Sequence, residues 1–228
     1  MTESIVPTPT PTPTPTPLRV AVLGTGHIGP AIARAARDAG YDVTVSASGS
    51  PERISLIAQV VMPGVEPVWA AEGIGRADVV VLAIPLHRFL AIDAEALRGK
   101  IVIDAMNYWA PTDGTLAAFT DSALGTSEIV QRHLAGASVV KTLNHTGYHD
   151  LEEDRRPAGD PERRAQGVAG DDPQAVALVS RMVDAMGYDP LVIDGLAGGR
   201  ILQPGGPAFG ARLTLAELED AVEVDVAA

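Results

Sequence analysis

Cysteine is absent from all 228 residues, which excludes disulfides, cysteine-ligated zinc and a catalytic thiol and fits a reducing compartment. Aromatic residues make up only 4% of the chain, and basic residues are a minority, with 17 Lys and Arg against 29 Asp and Glu for a net charge of −12. Negative charge of that size opposes binding to phosphate backbones or anionic bilayers, so neither nucleic acid nor a membrane is an expected partner. There is no run of about 20 apolar residues that could span a bilayer. Residues 1–17 also lack the cationic start and the apolar stretch of about 7 to 15 residues that a secretory signal needs, so a cytoplasmic protein is expected. What is present is 46% hydrophobic residues, enough for one sizeable core.

Six of the 18 prolines fall in the opening segment MTESIVPTPTPTPTPTP, a strict Pro-Thr alternation that reads as a disordered, extended tail over residues 1–17. The ordered chain then begins with LRVAVL at 18–23, short, β-branched and apolar on both faces like a strand inside a parallel sheet. A glycine turn, GTGHIG, and an Ala- and Arg-rich helical segment ending at Gly40 follow, then a second strand at 41–46, which completes a βαβ unit. Further strands are expected at 65–69, 79–84, 101–105 and 139–143, with helices at 51–60, 86–97 and 127–134. After a long charged loop at 150–164 the pattern resumes with residues 165–169, a helix at 173–186, a strand at 191–194 and a final acidic helix at 213–224. The loop exceeds the usual length of connections and is a candidate to close over a ligand. The expected fold is α/β: a Rossmann-like doubly wound parallel sheet over residues 18–145, with a small C-terminal α/β subdomain over 146–228 that completes a substrate crevice.

The glycine motif has the strand before it, the helix after it and the second strand that dinucleotide binding requires. Gly24 permits the tight turn, Gly26 lets the backbone approach a pyrophosphate and Gly29 allows helix to pack on strand, while Thr25, His27 and Ile28 supply intervening amides near the helix N-terminus. Where an NAD site carries an acid after the second strand, this chain offers Ser46, Ala47 and Ser48. The missing acid favours NADP(H), with Ser46, Ser48, Ser50 and Arg53 as partners of the 2′-phosphate.

Ligands of open α/β sheets sit beyond the carboxyl ends of the strands. Those ends read Ala83-Ile84-Pro85, then DAMNY at 104–108, then Thr142-Leu143-Asn144-His145. Pro85 would fix a loop beside a nicotinamide, and Asn107 and Asn144 could orient an amide or ring carbonyl of a second ligand, or could each cap a turn. His145 is a candidate substrate contact; Asn144 and His145 are the positioning candidates, with no catalytic acid, base or nucleophile identified. His87 and His133 read as surface helix residues. His145 and His149 are four apart without an evident helix or companion carboxylates, so no metal is expected. Hydride chemistry needs no protein nucleophile, because the cofactor carries the reaction.

Taken in order, GTGHIG, VVVLAIPLHRF, GKIVIDAMNYWAPTDG, SVVKTLNHTGYHDL, GDPERRAQGVAGDDPQA and GGRILQPGGPAFG resemble the NADP-dependent reductases of coenzyme F420, a deazaflavin, and their bacterial relatives. The resemblance implies reversible hydride transfer between NADPH and the deazaflavin, a small-molecule redox co-substrate, with both rings stacked in the crevice of a homodimeric Rossmann protein. By position it implies pyrophosphate contacts from Thr25, His27 and Ile28, 2′-phosphate contacts from Ser46 and Ser48, a nicotinamide side formed by Ala83, Ile84 and Pro85, and a second-ring side at Asn144 and His145. Two positions depart from the family pattern: Gly49 stands where relatives carry a turn arginine, and Asn144-His145-Thr146 stands where they carry Asn-Thr or Asn-Ser.

Other readings use the same nucleotide site. One is an NADPH-dependent reductase of a flavin, ferric chelate, small carbonyl or imine; another is a non-catalytic NADP(H) sensor acting through a partner. An anionic deazaflavin needs local positive charge, for which Arg155, Arg156, Arg163 and Arg164 form the one cluster, although Glu152, Glu153, Asp154, Asp160 and Glu162 sit among them and a charge-paired, solvated loop is the favoured reading.

Overall fold

The computed structural model describes residues 17–120 and 123–226, so nearly all of the Pro-Thr segment lies outside the described residues. Strand β1 (Arg19–Leu23) is buried from its second residue onward and leads through the glycine turn into α1 (Ile28–Asp38). This helix lays Ala31, Ile32, Ala35 and Ala36 on the sheet, keeps Arg34 and Arg37 outside that face, and carries Pro30 in its first turn, where a missing N–H costs nothing. It stops at Gly40, whose φ of +88° suits a residue without Cβ. Strand β2 (Asp42–Ser46) follows, then a 3₁₀ turn at Pro51–Ile54, α2 (Ser55–Val61), a two-residue β3 (Glu66–Pro67) and α3 (Ala70–Arg76).

The chain then crosses to the other side of β1. Strands β4 (Val79–Leu82), β5 (Ile101–Asp104) and β6 (Ser138–Lys141) add in sequence, with α4 (Ala110–Asp113), α5 (Ala117–Thr120) and α6 (Thr126–His133) between the last two. A short α7 (Asp150–Glu153) precedes β7 (Ala165–Gly170), α8 (Pro173–Ala185) and β8 (Asp189–Asp194); α9 (Gly195–Gly198) and α10 (Leu215–Val226) finish the chain. The single sheet of eight strands runs β3-β2-β1-β4-β5-β6-β7-β8, parallel throughout except for the β6–β7 pair. This is the expected Rossmann-like α/β architecture, and residues 165–194 extend the same sheet through that antiparallel junction.

Two apolar layers sandwich the sheet. One packs α1, α2 and α8 against Val20, Val22, Val81 and Ile103; the other packs residues of α3, α6 and the 86–97 segment against Ala21, Leu82 and Val102. Alternate residues of β1, β4 and β5 thus serve opposite layers, as a strand covered on both faces requires. A third cluster, around Ala165, Ile193, Leu202 and Leu218, seats α10 against the outer strands.

Three expectations need correction. The helix expected at 86–97 is a 3₁₀ segment at Leu86–Ala91 followed by irregular chain, because Asp93 Oδ1 accepts from the Glu95 and Ala96 N–H groups and turns the backbone out of helix. The strand expected at 65–69 pairs over only two residues. The long charged loop is pinned rather than free: Arg34 of α1 grips the Glu152 carboxylate, the Tyr188 hydroxyl donates to the Leu151 carbonyl, and Arg155 pairs with Asp38 at 3.0 Å.

Candidate functional site

The order of the sheet sets the site. The order in which strands are added reverses between β1 and β4, and at such a switch point the loops leaving the carboxyl ends diverge to leave a crevice. Gly24 makes this possible at close quarters. Its φ is +125°, its N–H donates to the Ser46 carbonyl at 2.8 Å, and a Cβ there would stand 2.2 Å from the Ala83 carbonyl oxygen. A Cβ on Gly29 would likewise meet the Gly24 oxygen at 2.1 Å, so both glycines are required by packing of the turn on β4 and α1. Gly26 differs: a Cβ there would meet nothing within 4 Å. It is the glycine whose bare backbone faces open space, which fits the approach of a pyrophosphate to the start of α1.

That open space belongs to a crevice of about 520 Å³, within the range of small-molecule and cofactor sites. Gly26, His27 and Ile28 form one end. Ala83, Ile84 and Pro85 after β4, and Ala105, Met106, Asn107 and Trp109 after β5, form its floor; Asn144 to Tyr148 after β6, with Phe209 and Gly210, form the far wall. The three strand ends singled out in the sequence therefore converge. Trp109, Tyr148 and Phe209 are the aromatic residues of the lining, and the Tyr148 ring stacks on His27 at 4.7 Å across the mouth.

Beneath the floor lies a buried polar frame. Lys141 and Asp104, both fully buried at the ends of β6 and β5, stand 3.5 Å apart; Lys141 Nζ donates to the Met106 carbonyl and Asp104 accepts from the Met106 N–H and the Ser127 hydroxyl. Burial pulls the Lys141 pKa down, and Asp104 pulls it back only in part. Both backbone groups of Met106 are thus held, and Asn107 next to it exchanges amide hydrogen bonds with Asn144: Asn107 Nδ2 to the Asn144 carbonyl at 2.7 Å, Asn144 Nδ2 to Asn107 Oδ1 at 2.9 Å. The pair ties the β5 loop to the β6 loop.

His145 is 2% exposed and its Nε2 accepts from the Gly167 N–H at 3.2 Å. Burial chiefly, with the charges of Arg164 and Lys141, lowers its pKa to about 4, although the nearby Ala208 carbonyl works the other way. The imidazole is neutral at physiological pH and does not serve as a proton donor there. Leu143, just before these residues, adopts a left-handed φ of +59°, uncommon for a residue with a side chain.

The turn after β2, where the sequence places the 2′-phosphate partners, lies outside the lining of this crevice. Ser46 is buried with its carbonyl engaged by Gly24, Ala47 is partly buried, and Ser48 is exposed. Hydrogen bonding from the Ser50 side chain holds the Glu52 carboxyl below its usual range, so that hydroxyl is engaged. Arg53 folds back over the turn: a Cβ on Gly49 would stand 3.4 Å from its Nη1. Its guanidinium has no carboxylate partner among the described residues and lies beside Gly49.

Two sequence inferences change. The arginine cluster is committed elsewhere: Arg163, 4% exposed, pairs with Asp184 and Asp189, while Arg164, 1% exposed, pairs with Asp154 and donates to the Ala211 carbonyl. These buried, ion-paired cations leave little to hold an acidic coenzyme tail, and they are not part of a solvated loop either. His87 is not a plain surface helix residue, since its Nδ1 stands 2.7 Å from the buried Asp113 carboxylate. Sequence spacing could not reveal that pair, 26 residues apart on two separate short helical segments. Among the described residues no group of three metal-binding side chains assembles, and no helix is long and apolar enough to cross a membrane.

Comparison with known proteins agrees with this geometry. No curated protein matches the chain. A protein of unassigned function from Sinorhizobium meliloti shares 27% identity and a TM-score of 0.75, covering 86% of this chain and 95% of its own. A candidate F420-dependent NADP-reductase from an Arthrobacter species shares 27% identity and a TM-score of 0.70, covering 86% and 99%. A pyrroline-5-carboxylate reductase from Coxiella burnetii, at 17% identity and a TM-score of 0.51 over 77% of this chain and 58% of its own, shares the fold alone. Residues 19–108, from β1 to the loop after β5, match the family model described as NADP oxidoreductase, coenzyme F420-dependent.

Proposed function

We propose that the protein transfers hydride between NADP(H) and a deazaflavin of the coenzyme F420 type within the crevice at the β1–β4 switch point. The observation that carries the reading is the continuity of one cavity from the open backbone of Gly26 to the wall formed by Trp109, Tyr148 and Phe209. One end suits a pyrophosphate on a helix N-terminus; the other offers flat apolar faces to rings.

The nicotinamide, when bound, supplies or accepts the hydride. The chain's own part is to hold and align. Gly26, His27 and Ile28 would receive the pyrophosphate, with Gly24 and Gly29 fixing the turn by close packing. Arg53 and Ser48 would meet the 2′-phosphate, and Ser46 and Ala47 would back the turn. Ala83, Ile84 and Pro85 would abut the nicotinamide, and Asn107 and Asn144, locked to each other, would set the separation of the two loops that flank both rings. Positioning of this kind is the protein's main lever when a cofactor carries the chemistry. Reduction of the deazaflavin by NADPH also takes up one proton, which solvent at the crevice mouth can deliver.

The test is an absorbance assay with NADPH or NADH as donor and coenzyme F420, free flavin, a ferric chelate or a cyclic imine as acceptor. Loss of the deazaflavin absorbance with NADPH, at a kcat/KM well above that for the other acceptors, is expected. Turnover of another acceptor alone would replace the deazaflavin, and nucleotide binding with no turnover of any acceptor would point to a sensor.

A further inference from the structure

None of the residues that line the crevice, from Gly26 to Gly210, is Asp, Glu, Lys or Arg, in a chain of which 20% is charged. Of its two histidines, His27 lies at the Gly26 end, and His145 is neutral at physiological pH because burial, with Arg164 and Lys141 nearby, lowers its pKa to about 4. Charged groups close to the lining are already matched. Lys141 stands 3.5 Å from Asp104 beneath Met106, Arg164 pairs with Asp154 at 2.8 Å, and the half-exposed Arg212, two residues past Gly210, pairs with the same carboxylate at 3.2 Å. Behind Trp109, the Asp113 carboxylate accepts the Trp109 N–H and keeps a pKa below the usual value, so an ionised acid stands behind that ring. Arg88, three residues past Pro85, has no carboxylate partner among the described residues, but it is exposed and lies outside the lining. What the far wall offers a ligand is the rings of Trp109, Tyr148 and Phe209.

We infer that the far wall selects an uncharged flat ring and gives an anionic group on the same molecule no hold, so that among ring acceptors the neutral ones bind best. The inference rests on the proposed crevice being the site of a ring acceptor and adds the charge that this second ligand carries. An anion brought from water against aromatic and aliphatic side chains loses hydration that no cation in the lining replaces. A protein of net charge −12 also opposes its approach. A neutral ring system meets neither penalty and gains contact with aromatic faces. The acidic tail of a coenzyme of the F420 type would then lie in solvent beyond the mouth and add nothing to affinity.

Matched pairs that differ only in a phosphate test this by calorimetric titration of the full chain saturated with NADP⁺: 5-deazariboflavin against its 5′-phosphate, and riboflavin against its 5′-phosphate. At about 0.02 M salt, where screening is weak, the neutral member should bind at least twofold tighter, and at about 0.3 M the gap should narrow. A smaller ratio at low salt, or tighter binding of the phosphate, overturns the inference, and a phosphate affinity that falls as salt is added would point to a cation at the rim such as Arg88. Tyr148→Arg sets a cation on the exposed edge of the wall and should bring the two members to parity or reverse their order. An unchanged ratio in that variant would mean that the rings bind away from this wall, and would overturn the inference as well. Because the members of each pair share a ring, the comparison does not depend on which ring is the acceptor. A neutral preference seen with the flavin pair alone would keep this inference and replace the deazaflavin, whereas absence of binding by all four would overturn the ring acceptor and the inference together.

Discussion

Oδ1 of Asp113 lies 2.7 Å from His87 Nδ1 and accepts the His87 N–H at 3.2 Å, while Oδ2 of the same carboxylate accepts the Trp109 N–H at 2.8 Å. One buried side chain thus joins the loop after β4 to the loop after β5, on which Trp109 forms part of the crevice. Burial acts against the Asp113 carboxylate, but hydrogen bonds from the Trp109 N–H and from His87 outweigh it and hold its pKa below the usual value. Asp113→Ala should cost about 1–3 kcal/mol by leaving buried donors unpaired. In a Trp69→Phe background, which leaves Trp109 as the tryptophan observed, its emission should shift to the red. Unchanged emission and urea midpoint would show that the clasp does not hold Trp109.

The glycine turn separates packing from binding. Gly26→Val places its side chain in open crevice, so the melting temperature should stay within a few degrees while the Kd for NADP⁺ rises at least tenfold. Gly24→Ala forces a Cβ onto the Ala83 carbonyl and should destabilise the whole domain. Calorimetry and thermal unfolding on both variants check the contrast; equal effects of the two substitutions would contradict it.

Arg53 is expected to set nucleotide preference. Arg53→Ser should weaken NADP⁺ about tenfold by removing a charged hydrogen bond to the 2′-phosphate and leave NAD⁺ within twofold. Parallel loss of both nucleotides would assign Arg53 to the turn's structure instead.

The Lys141–Asp104 pair is expected to behave as a unit. Lys141→Met strands a buried carboxylate and Asp104→Asn strands a buried ammonium, so each should cost about 3–5 kcal/mol, whereas the double variant should cost distinctly less than the sum. Urea denaturation of the four proteins gives the coupling; additive losses would mean that the two side chains act apart.

His145 gives stability a defined pH dependence. Its pKa is lowered to about 4 in the folded protein, against the ordinary value of 6.5 once unfolded. Between those values the unfolded chain binds the proton and the folded one does not, so stability is fully present above about pH 6.5 and falls as the pH drops toward 4. At about 1.4 kcal/mol per pH unit the loss reaches roughly 3 kcal/mol. Comparing wild-type and His145→Gln urea curves from pH 7 to 4 isolates this histidine, and curves that stay parallel would mean that it titrates normally.

The sequence disclosed what local chemistry controls. The run from β1 through the glycine turn to β2 was legible because apolar strands, helix spacing and Gly40 agree along one stretch of chain. Helix α3 was missed because Gly73 and Gly75 argue against helix; Gly73 is there because a side chain would press on Val68, Thr44 and Ala21, neighbours set by tertiary packing. The Leu86 and Phe89 spacing fits a 3₁₀ turn as well as an α-helix, and only Asp93 decides between them. At the site, the residues on strand ends were readable because topology sends those ends to one place. Trp109, Tyr148 and Phe209, and the His87–Asp113 pair, were not singled out, since nothing in their spacing says that the chain folds back on itself there.

The hydrogen bond from the Gly210 N–H to the His145 carbonyl, at 2.8 Å, joins segments 65 residues apart. During synthesis the glycine turn and the first six strands can leave the ribosome and collapse well before Phe209 and Gly210 emerge, since domains acquire structure as the chain is made. A nascent chain therefore carries the Gly26 end of the cavity before its far wall is complete. Ligand retention becomes a late event in biogenesis, and a chain truncated before residue 209 keeps its sheet order but loses the enclosure.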